Sequence, residues 1–270
     1  MAFNDLYRRQ VVLLVRVLPF VTEEECFALK GGTAINLFIR DLPRLSVDID
    51  LTYLPVKPRR ESLADIDAAM NRIGDRLREQ LHDVRAHAGR SREGVVTKLI
   101  VRAGDVQIKI EVTPVLRGCV FAPEMRAVAP SVESSFGFAE ARIVSFADLY
   151  GGTLVAALDR QHPRDLFDAR ALLAAEGIDN DLREAFLVYL ISHDYRSPGY
   201  WRPARRYLPS SSRACPKHIG HFCCHSSALG VAAAAELPAV KWRQQNLDAL
   251  PKDARARLTA RLEGALAVQV

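Results

Sequence analysis

The sequence predicts an α+β fold in which a mixed β-sheet is flanked by helices and followed by an α-helical C-terminal part. Two short segments with strand character enclose a glycine turn and a helix. Further along, two β-rich runs flank Ala103-Gly104-Asp105, which is the pattern of a hairpin. Segments with apolar residues at helical spacing occur on both sides of these strands. The expected strands lie at 27–29, 46–51 and within 95–113, and the expected helices at 5–18, 33–40, 61–81, 146–160 and 181–193.

The composition describes a globular protein. The 270 residues suffice for one large domain or two modest ones, and 49% of them are apolar while 26% are charged. No apolar run reaches the ~18 residues of a membrane span. Because the N-terminal residues also lack a secretory pattern, we expect a cytoplasmic location and no membrane partner. The five cysteines, an odd number, imply no disulfide framework.

The net charge of +5 comes from one segment. Between Tyr195 and Ala235 the chain has no acidic residue, and without the basic residues of that segment the remainder holds 31 basic against 32 acidic residues. The basicity therefore does not by itself indicate a nucleic-acid surface. The basic residues of the segment are Arg196, Arg202, Arg205, Arg206, Arg213 and Lys217.

Two acidic residues, Asp48 and Asp50, are expected on one face of a strand. They alternate with Ile49 and Leu51, and side chains two positions apart on a strand point the same way. Two like charges about 4 Å apart repel by roughly 4 kcal/mol near a protein surface. Adjacent carboxylate oxygens suit Mg²⁺, so the pair is a candidate metal site. The alternative interpretation is a solvated strand face.

A glycine turn precedes this strand and favours the metal-site interpretation over the solvated strand face. Lys30, Gly31 and Gly32 interrupt the first strand and open the next helix. Such a turn directs free backbone N–H groups toward an anion at the helix N-terminus. Phosphate beside a carboxylate-bound Mg²⁺ is the arrangement used in phosphoryl transfer, so the combination indicates an enzyme more strongly than either motif alone.

The second strand of the predicted hairpin carries Lys109 and Glu111 on its polar face. If this strand lies beside the Asp48 strand, Glu111 becomes the natural third carboxylate of the site. The alternative is an exposed Lys/Glu pair. Later in the chain, Asp165 and Asp168 share one face of a helix that begins near Pro163. There the alternative is that they are acids interacting with the helix dipole.

Three motifs together resemble the AbiEii/AbiGii toxin family, nucleotidyltransferases of the DNA polymerase beta-like superfamily that are related to the MenT toxins. They are Lys30-Gly-Gly-Thr-Ala-Ile-Asn-Leu-Phe, Arg44-Leu-Ser-Val-Asp-Ile-Asp-Leu and Pro163-Arg-Asp-Leu-Phe-Asp. The resemblance covers about residues 5–194. It implies the minimal nucleotidyltransferase fold, with a core at 1–140 and a helical C-terminal part at 141–195.

The resemblance also implies an activity. A nucleoside triphosphate is the donor, Mg²⁺ the cofactor, tRNA the acceptor and an AbiEi-like antitoxin the partner, within a toxin–antitoxin pair for phage defence. The expected reaction is attack of an acceptor hydroxyl on the α-phosphorus with release of pyrophosphate. By motif position, Gly31, Gly32 and Thr33 would cradle the triphosphate, Asp48 and Asp50 would hold Mg²⁺, Arg44 and Ser46 would support the nucleotide, and Asp165 or Asp168 would match the late acidic position. Lys30 and Lys109 are further candidates for nucleotide binding.

One departure from the family pattern supports an alternative function. The family has a Gly-Lys pair before its Arg-Asp motif, but the aligned residues here are Gly152 and Thr153. Without that cation the transferring phosphate would be less stabilised. Lys98, Lys109 and Arg160 are candidate replacements. The alternative is therefore a weak or inactive protein that binds a nucleotide or the antitoxin.

The chain beyond residue 195 changes in character. Residues 196–235 read as an irregular or disordered basic segment, and residues 236–270 as closing helices. The Cys and His residues between Cys215 and His225 fit no defensible zinc spacing. A further hypothesis is that residues 196–228 were translated out of frame.

Overall fold

The computed structural model describes residues 5–160 and 162–192, so the expectations for residues 196–270 lie outside the described part. The elements of this part are, in order, α1 (Asp5–Thr22), β1 (Phe27–Lys30), α2 (Gly31–Ala34) continued by a π-helical turn (Ile35–Ile39), β2 (Asp48–Tyr53), α3 (Arg59–Gln80), β3 (Val84–Arg90), β4 (Val96–Ala103), β5 (Val106–Arg117), β6 (Glu124–Ala127), α4 (Pro130–Phe136), β7 (Glu140–Ile143), α5 (Phe146–Arg160), α6 (Pro163–Ala175) and α7 (Asn180–Ile191).

The strands form one mixed sheet in the order β3-β4-β5-β2-β1-β7-β6. Strand β2 is at its centre, antiparallel to β1 and parallel to β5. Strand β1 also pairs in parallel with β7, while β3, β4 and β5 form an antiparallel meander. The predicted α+β class is therefore confirmed.

The alternation of apolar and polar residues decides which face of the sheet is buried. In β2, Ile49, Leu51 and Tyr53 are at most 1% exposed and belong to the hydrophobic core. Helix α3 packs on β3 and β4, and α1 packs on β5 and β7. Since side chains alternate along a strand, Asp48 and Asp50 lie on the opposite face.

The residues after α1 differ from the sequence expectation. Thr22 followed by Glu25 is the pattern of a capping box that opens a helix. In the structure Thr22 instead ends α1, and its hydroxyl donates to the carbonyl of Leu18 at 3.1 Å. The adjacent Glu24 is buried and accepts hydrogen bonds from Arg72 and Arg76. This acid therefore anchors α3 to the end of α1.

Helices α5, α6 and α7 follow the sheet, as predicted. The hydroxyl oxygen of Ser145 accepts a hydrogen bond from the Asp148 backbone N–H at 3.0 Å, so Ser145 caps the N-terminus of α5. Helix α5 packs closely on α7 at Gly151, where a β-carbon would lie 2.9 Å from the backbone nitrogen of Phe186. No helix in the described ranges combines the length and apolarity that crossing a membrane requires.

Candidate active site

Strand register brings five of the predicted site residues onto one face of the sheet. Lys30 on β1 is paired with Asp50 on β2, and Asp50 is paired in turn with Glu111 on β5. Asp48 is paired with Lys109. Residues paired directly across strands point to the same face, so two rows of acids and lysines cross β1, β2 and β5. The expectation that the Glu111 strand lies beside the Asp48 strand is confirmed.

The glycine turn lies directly against these rows. Gly31 has φ +73°, a conformation that favours glycine, and a β-carbon there would lie 3.2 Å from Oδ2 of Asp50. A β-carbon on Gly32 would lie 2.7 Å from Nη2 of Arg44 and 3.2 Å from Oγ of Ser46. The turn backbone therefore approaches Asp50 and Arg44 at distances that only glycine allows without displacement.

Two buried hydroxyls connect the turn to β2. Thr33 is 1% exposed, and its hydroxyl donates to the carbonyl oxygen of Asp48. Its oxygen also lies 2.9 Å from Oγ of Ser46. These contacts tie the first turn of α2 to the start of β2, so Thr33 and Ser46 position the turn relative to the carboxylates.

A buried ion pair connects this region to α6. The Arg44 guanidinium donates to both carboxylate oxygens of Asp168, with Nε at 3.1 Å from Oδ1. Asp168 is 2% exposed. The two N–H groups are used in a bidentate pair, the geometry that fixes a guanidinium most firmly. Asp168 therefore holds Arg44 against Gly32.

Asn36 is a member of this cluster that the sequence expectations did not include. Its side-chain amide donates to the carbonyl of Gly32 at 2.7 Å and lies 3.5 Å from Oδ1 of Asp168. A hydrogen bond from a mid-helix polar side chain to the carbonyl four residues earlier is a known local pattern. The spacing of Asn36 from Gly32 was therefore the available signal.

The remaining predicted positions lie farther along the helices. Asp165 is buried in the first turn of α6, where its carboxylate is favourably placed for the helix dipole. Thr153 is also buried, and its hydroxyl donates to the carbonyl of Leu149 at 2.9 Å. No cation therefore stands at the family lysine position.

The charges around Asp50 perturb one another. Burial raises the pKa of Asp50, and the nearby Asp48 and Glu111 raise it further, while Lys109 and Lys30 oppose the shift. Burial lowers the pKa of Lys30. Burial also tends to lower the pKa of Lys109, but its 2.7 Å ion pair with Glu111 and the neighbouring aspartates outweigh this effect and raise it.

The donor chemistry fits a metal ion held jointly with a ligand. Within 5–160 and 162–192, no three or more His, Cys, Asp or Glu side chains are grouped to hold an ion alone. The Glu111 carboxylate is paired with Lys109 instead of completing such a group. Mg²⁺ commonly binds one or two carboxylates together with substrate phosphates and water. Asp48 and Asp50, which share a strand face beside the Gly31–Gly32 turn, would hold an ion in that way.

Comparisons with known proteins identify the family. A family model described as "Nucleotidyl transferase AbiEii toxin, Type IV TA system" matches residues 12–262. Among solved structures, MenT4, a nucleotidyltransferase toxin from Mycobacterium tuberculosis H37Rv, is similar over 97% of this chain and 93% of its own, with 15% identity and a TM-score of 0.58. This likeness shows a shared fold.

Two further comparisons do not contribute to the assignment. ANT(2")-Ia in complex with adenylyl-2"-tobramycin matches 66% of this chain and 97% of its own, with 19% identity and a TM-score of 0.36, which is too low to support an argument. A comparison with curated proteins finds no match. Because the family model spans most of the sequence, the chain belongs to the AbiEii family of nucleotidyltransferase toxins.

Proposed function

We propose that this nucleotidyltransferase transfers a nucleoside monophosphate from a nucleoside triphosphate to tRNA in the cytoplasm, with Mg²⁺ as cofactor. It would act as the toxin of a phage-defence pair with an AbiEi-like antitoxin. The family implies the nucleotide substrate and an antitoxin partner. The observation that carries the proposal is the convergence of Asp48 and Asp50 with the Gly31–Gly32 turn.

The turn binds the triphosphate in this proposal. The turn opens α2, and Gly31 lies against Asp50. Anions are favoured at such a position because N–H groups and the local dipole point at them. Lys30 and Lys109 flank Asp50 from the two neighbouring strands and supply the positive charge that the phosphates require. Arg44, held by Asp168, keeps the turn in place.

The carboxylates carry out the remaining steps. Asp48 and Asp50 would hold Mg²⁺, which when bound neutralises charge on the α-phosphate. Glu111 accepts the proton of the acceptor hydroxyl as its oxygen forms a bond to the α-phosphorus. The bond from that phosphorus to the bridging oxygen breaks, and pyrophosphate leaves with the electron pair.

A second candidate function is nucleotide or antitoxin binding without turnover. It is favoured by Thr153, whose hydroxyl is used within α5 and which brings no charge to the site. In the leading proposal Lys30 and Lys109 replace the missing cation. Measurable nucleotide affinity without pyrophosphate release would select the second candidate.

The test is label transfer to total RNA. The full chain is incubated with each labelled nucleoside triphosphate and Mg²⁺, beside the double variant Asp48→Ala/Asp50→Ala. A matched control, Asp83→Ala/Asp105→Ala, removes two exposed aspartates elsewhere. We expect transfer by the wild type and the matched control only. Equal transfer by the Asp48/Asp50 variant would refute the proposal.

A further inference from the structure

Beyond β5, the polar face that carries Asp48 and Asp50 continues across two more strands, β4 and β3. Lys98 on β4 is paired with Glu111, and Arg102 with Gln107. On β3, Arg85 is paired with Arg102, and His87 with Ile100, which is itself paired with Lys109. Since paired residues share a face, these side chains lie on the same side of the sheet as the site. We call Arg85, His87, Lys98 and Arg102 the basic tract.

The basic tract is accessible and available within the described part of the chain. Arg85, His87 and Arg102 are exposed, and Lys98 is half-buried. The side chains of Arg85, His87 and Lys98 make no hydrogen bond or ion pair with another described residue. Arg102 donates from Nε to the side-chain oxygen of Gln107, a neutral group, at 2.8 Å. The charges of Arg85, Lys98 and Arg102 therefore have no acidic ion-pair partner among residues 5–160 and 162–192.

The uniform sign of the tract distinguishes it from ordinary edge protection. Strand β3 is an edge of the sheet, and charged side chains discourage unwanted pairing at edges. That purpose concerns β3 alone, whereas Lys98 and Arg102 lie on β4, which is paired with a strand on each side. The surface helix α3 has acids and bases interspersed along its length, whereas Glu111, paired with Lys109, is the one acid at the paired positions of this face on β3, β4 and β5. A run of cations leading from the candidate site favours an anionic partner.

The length and chemistry of the tract fit a polynucleotide. From β2 to β3 there are three strand spacings of about 4.8 Å, or roughly 14 Å. At about 3.4 Å per nucleotide, a stacked strand places about four nucleotides over that distance. The arginines and lysine would contact phosphates, and the His87 ring is a surface on which a base can stack.

We propose that the basic tract binds the single-stranded end of the RNA that receives the nucleotide, and so directs its terminal hydroxyl toward Asp48 and Asp50. This inference rests on the proposed function for its acceptor. It adds the surface and the residues that bind the acceptor. In this arrangement the RNA strand crosses β3 and β4, and its terminal nucleotide lies over β5, near Glu111.

The test measures binding separately from transfer. A labelled single-stranded oligoribonucleotide is titrated with the full chain by fluorescence anisotropy at several salt concentrations. The variant Arg85→Ala/Lys98→Ala is compared with Arg60→Ala/Arg183→Ala, which removes the same charge from exposed sites on α3 and α7. Thermal unfolding checks that both variants are folded.

We expect the tract variant alone to bind more weakly. The slope of log affinity against log salt should fall by about 0.7 for each lost phosphate contact, or about 1.4 in total. Equal losses in both variants, or no binding by the wild type, would overturn the inference. The Asp48→Ala/Asp50→Ala variant should still bind the oligonucleotide. If tract-dependent binding is found while no protein transfers label, the catalytic proposal fails and the binding surface stands.

Discussion

Replacing Asp168 with asparagine removes the negative charge that holds Arg44 in the candidate site. The side chain of Asp168 is 3% exposed and that of Arg44 17% exposed. Removing one member of a buried pair costs about 3–5 kcal/mol, because the other charge is left uncompensated. Since the guanidinium keeps some access to water, we expect Asp168→Asn to lower the free energy of unfolding by about 3 kcal/mol.

An exposed ion pair provides the matched control. Arg16 also donates two hydrogen bonds to one carboxylate, that of Asp83, but these side chains are 41% and 58% exposed. Exposed pairs contribute about 0–1 kcal/mol, so Asp83→Asn should change stability by less than about 1 kcal/mol. Denaturant unfolding followed by circular dichroism measures both changes.

The double variant Arg44→Ala/Asp168→Ala completes the test. It removes both charges, so its loss of unfolding free energy should be smaller than the summed losses of Arg44→Ala and Asp168→Ala. Nucleotidyl transfer should fall in every variant that lacks either group, because Arg44 then no longer braces the turn. If Asp168→Asn costs no more than Asp83→Asn, burial does not make this pair important and the reasoning is wrong.

Three other outcomes follow from local geometry. Gly151→Ala should lower the melting temperature, since its β-carbon would lie 2.9 Å from the backbone of α7, whereas Gly152→Ala, with nothing closer than 3.7 Å, should raise it through a gain of about 0.5–1 kcal/mol in helix propensity. Gly32→Ala should reduce both transfer and stability, the latter by about 1–3 kcal/mol, because the new methyl group would push the Arg44 guanidinium away from its buried pair with Asp168; an unchanged stability would contradict this. Burial tends to raise the pKa of Glu24, but its hydrogen bonds to Arg72 and Arg76 lower it overall, so its stabilising effect is present above the ordinary carboxyl pKa and is lost as the pH falls through the depressed value. Unfolding midpoints of wild type and Glu24→Gln should therefore converge toward acidic pH.

The sequence predicts the alternation of apolar and polar residues within each strand, but it does not predict which strands pair. The patterns around Asp48 and Lys109 indicated correctly which side chains share a face. That Asp50 is paired with Glu111 depends on β2 and β5 becoming parallel neighbours, and these strands are far apart in the chain, so no local pattern indicates their pairing. The placement of these residues agrees with the expectation, while their catalytic roles remain predictions.

Strand β3 shows why some elements could not be foreseen. Its sequence, Val84-Arg-Ala-His-Ala-Gly-Arg, contains alanine and glycine, which have low strand propensity. Strand β6 and helix α4 were likewise not predicted, because they are only four and seven residues long. The basic tract was hidden because its charges are spread over β3 and β4 and become adjacent only through register.

The pairing of Arg44 with Asp168 links residues 124 positions apart in the chain. A polypeptide released by the ribosome before α6 is made would contain Asp48, Asp50 and the glycine turn. Its Arg44 guanidinium would lack Asp168, the carboxylate with which it pairs. Catalytic competence should therefore arise late in synthesis, and aborted translation products of this toxin should be harmless to the cell that makes them.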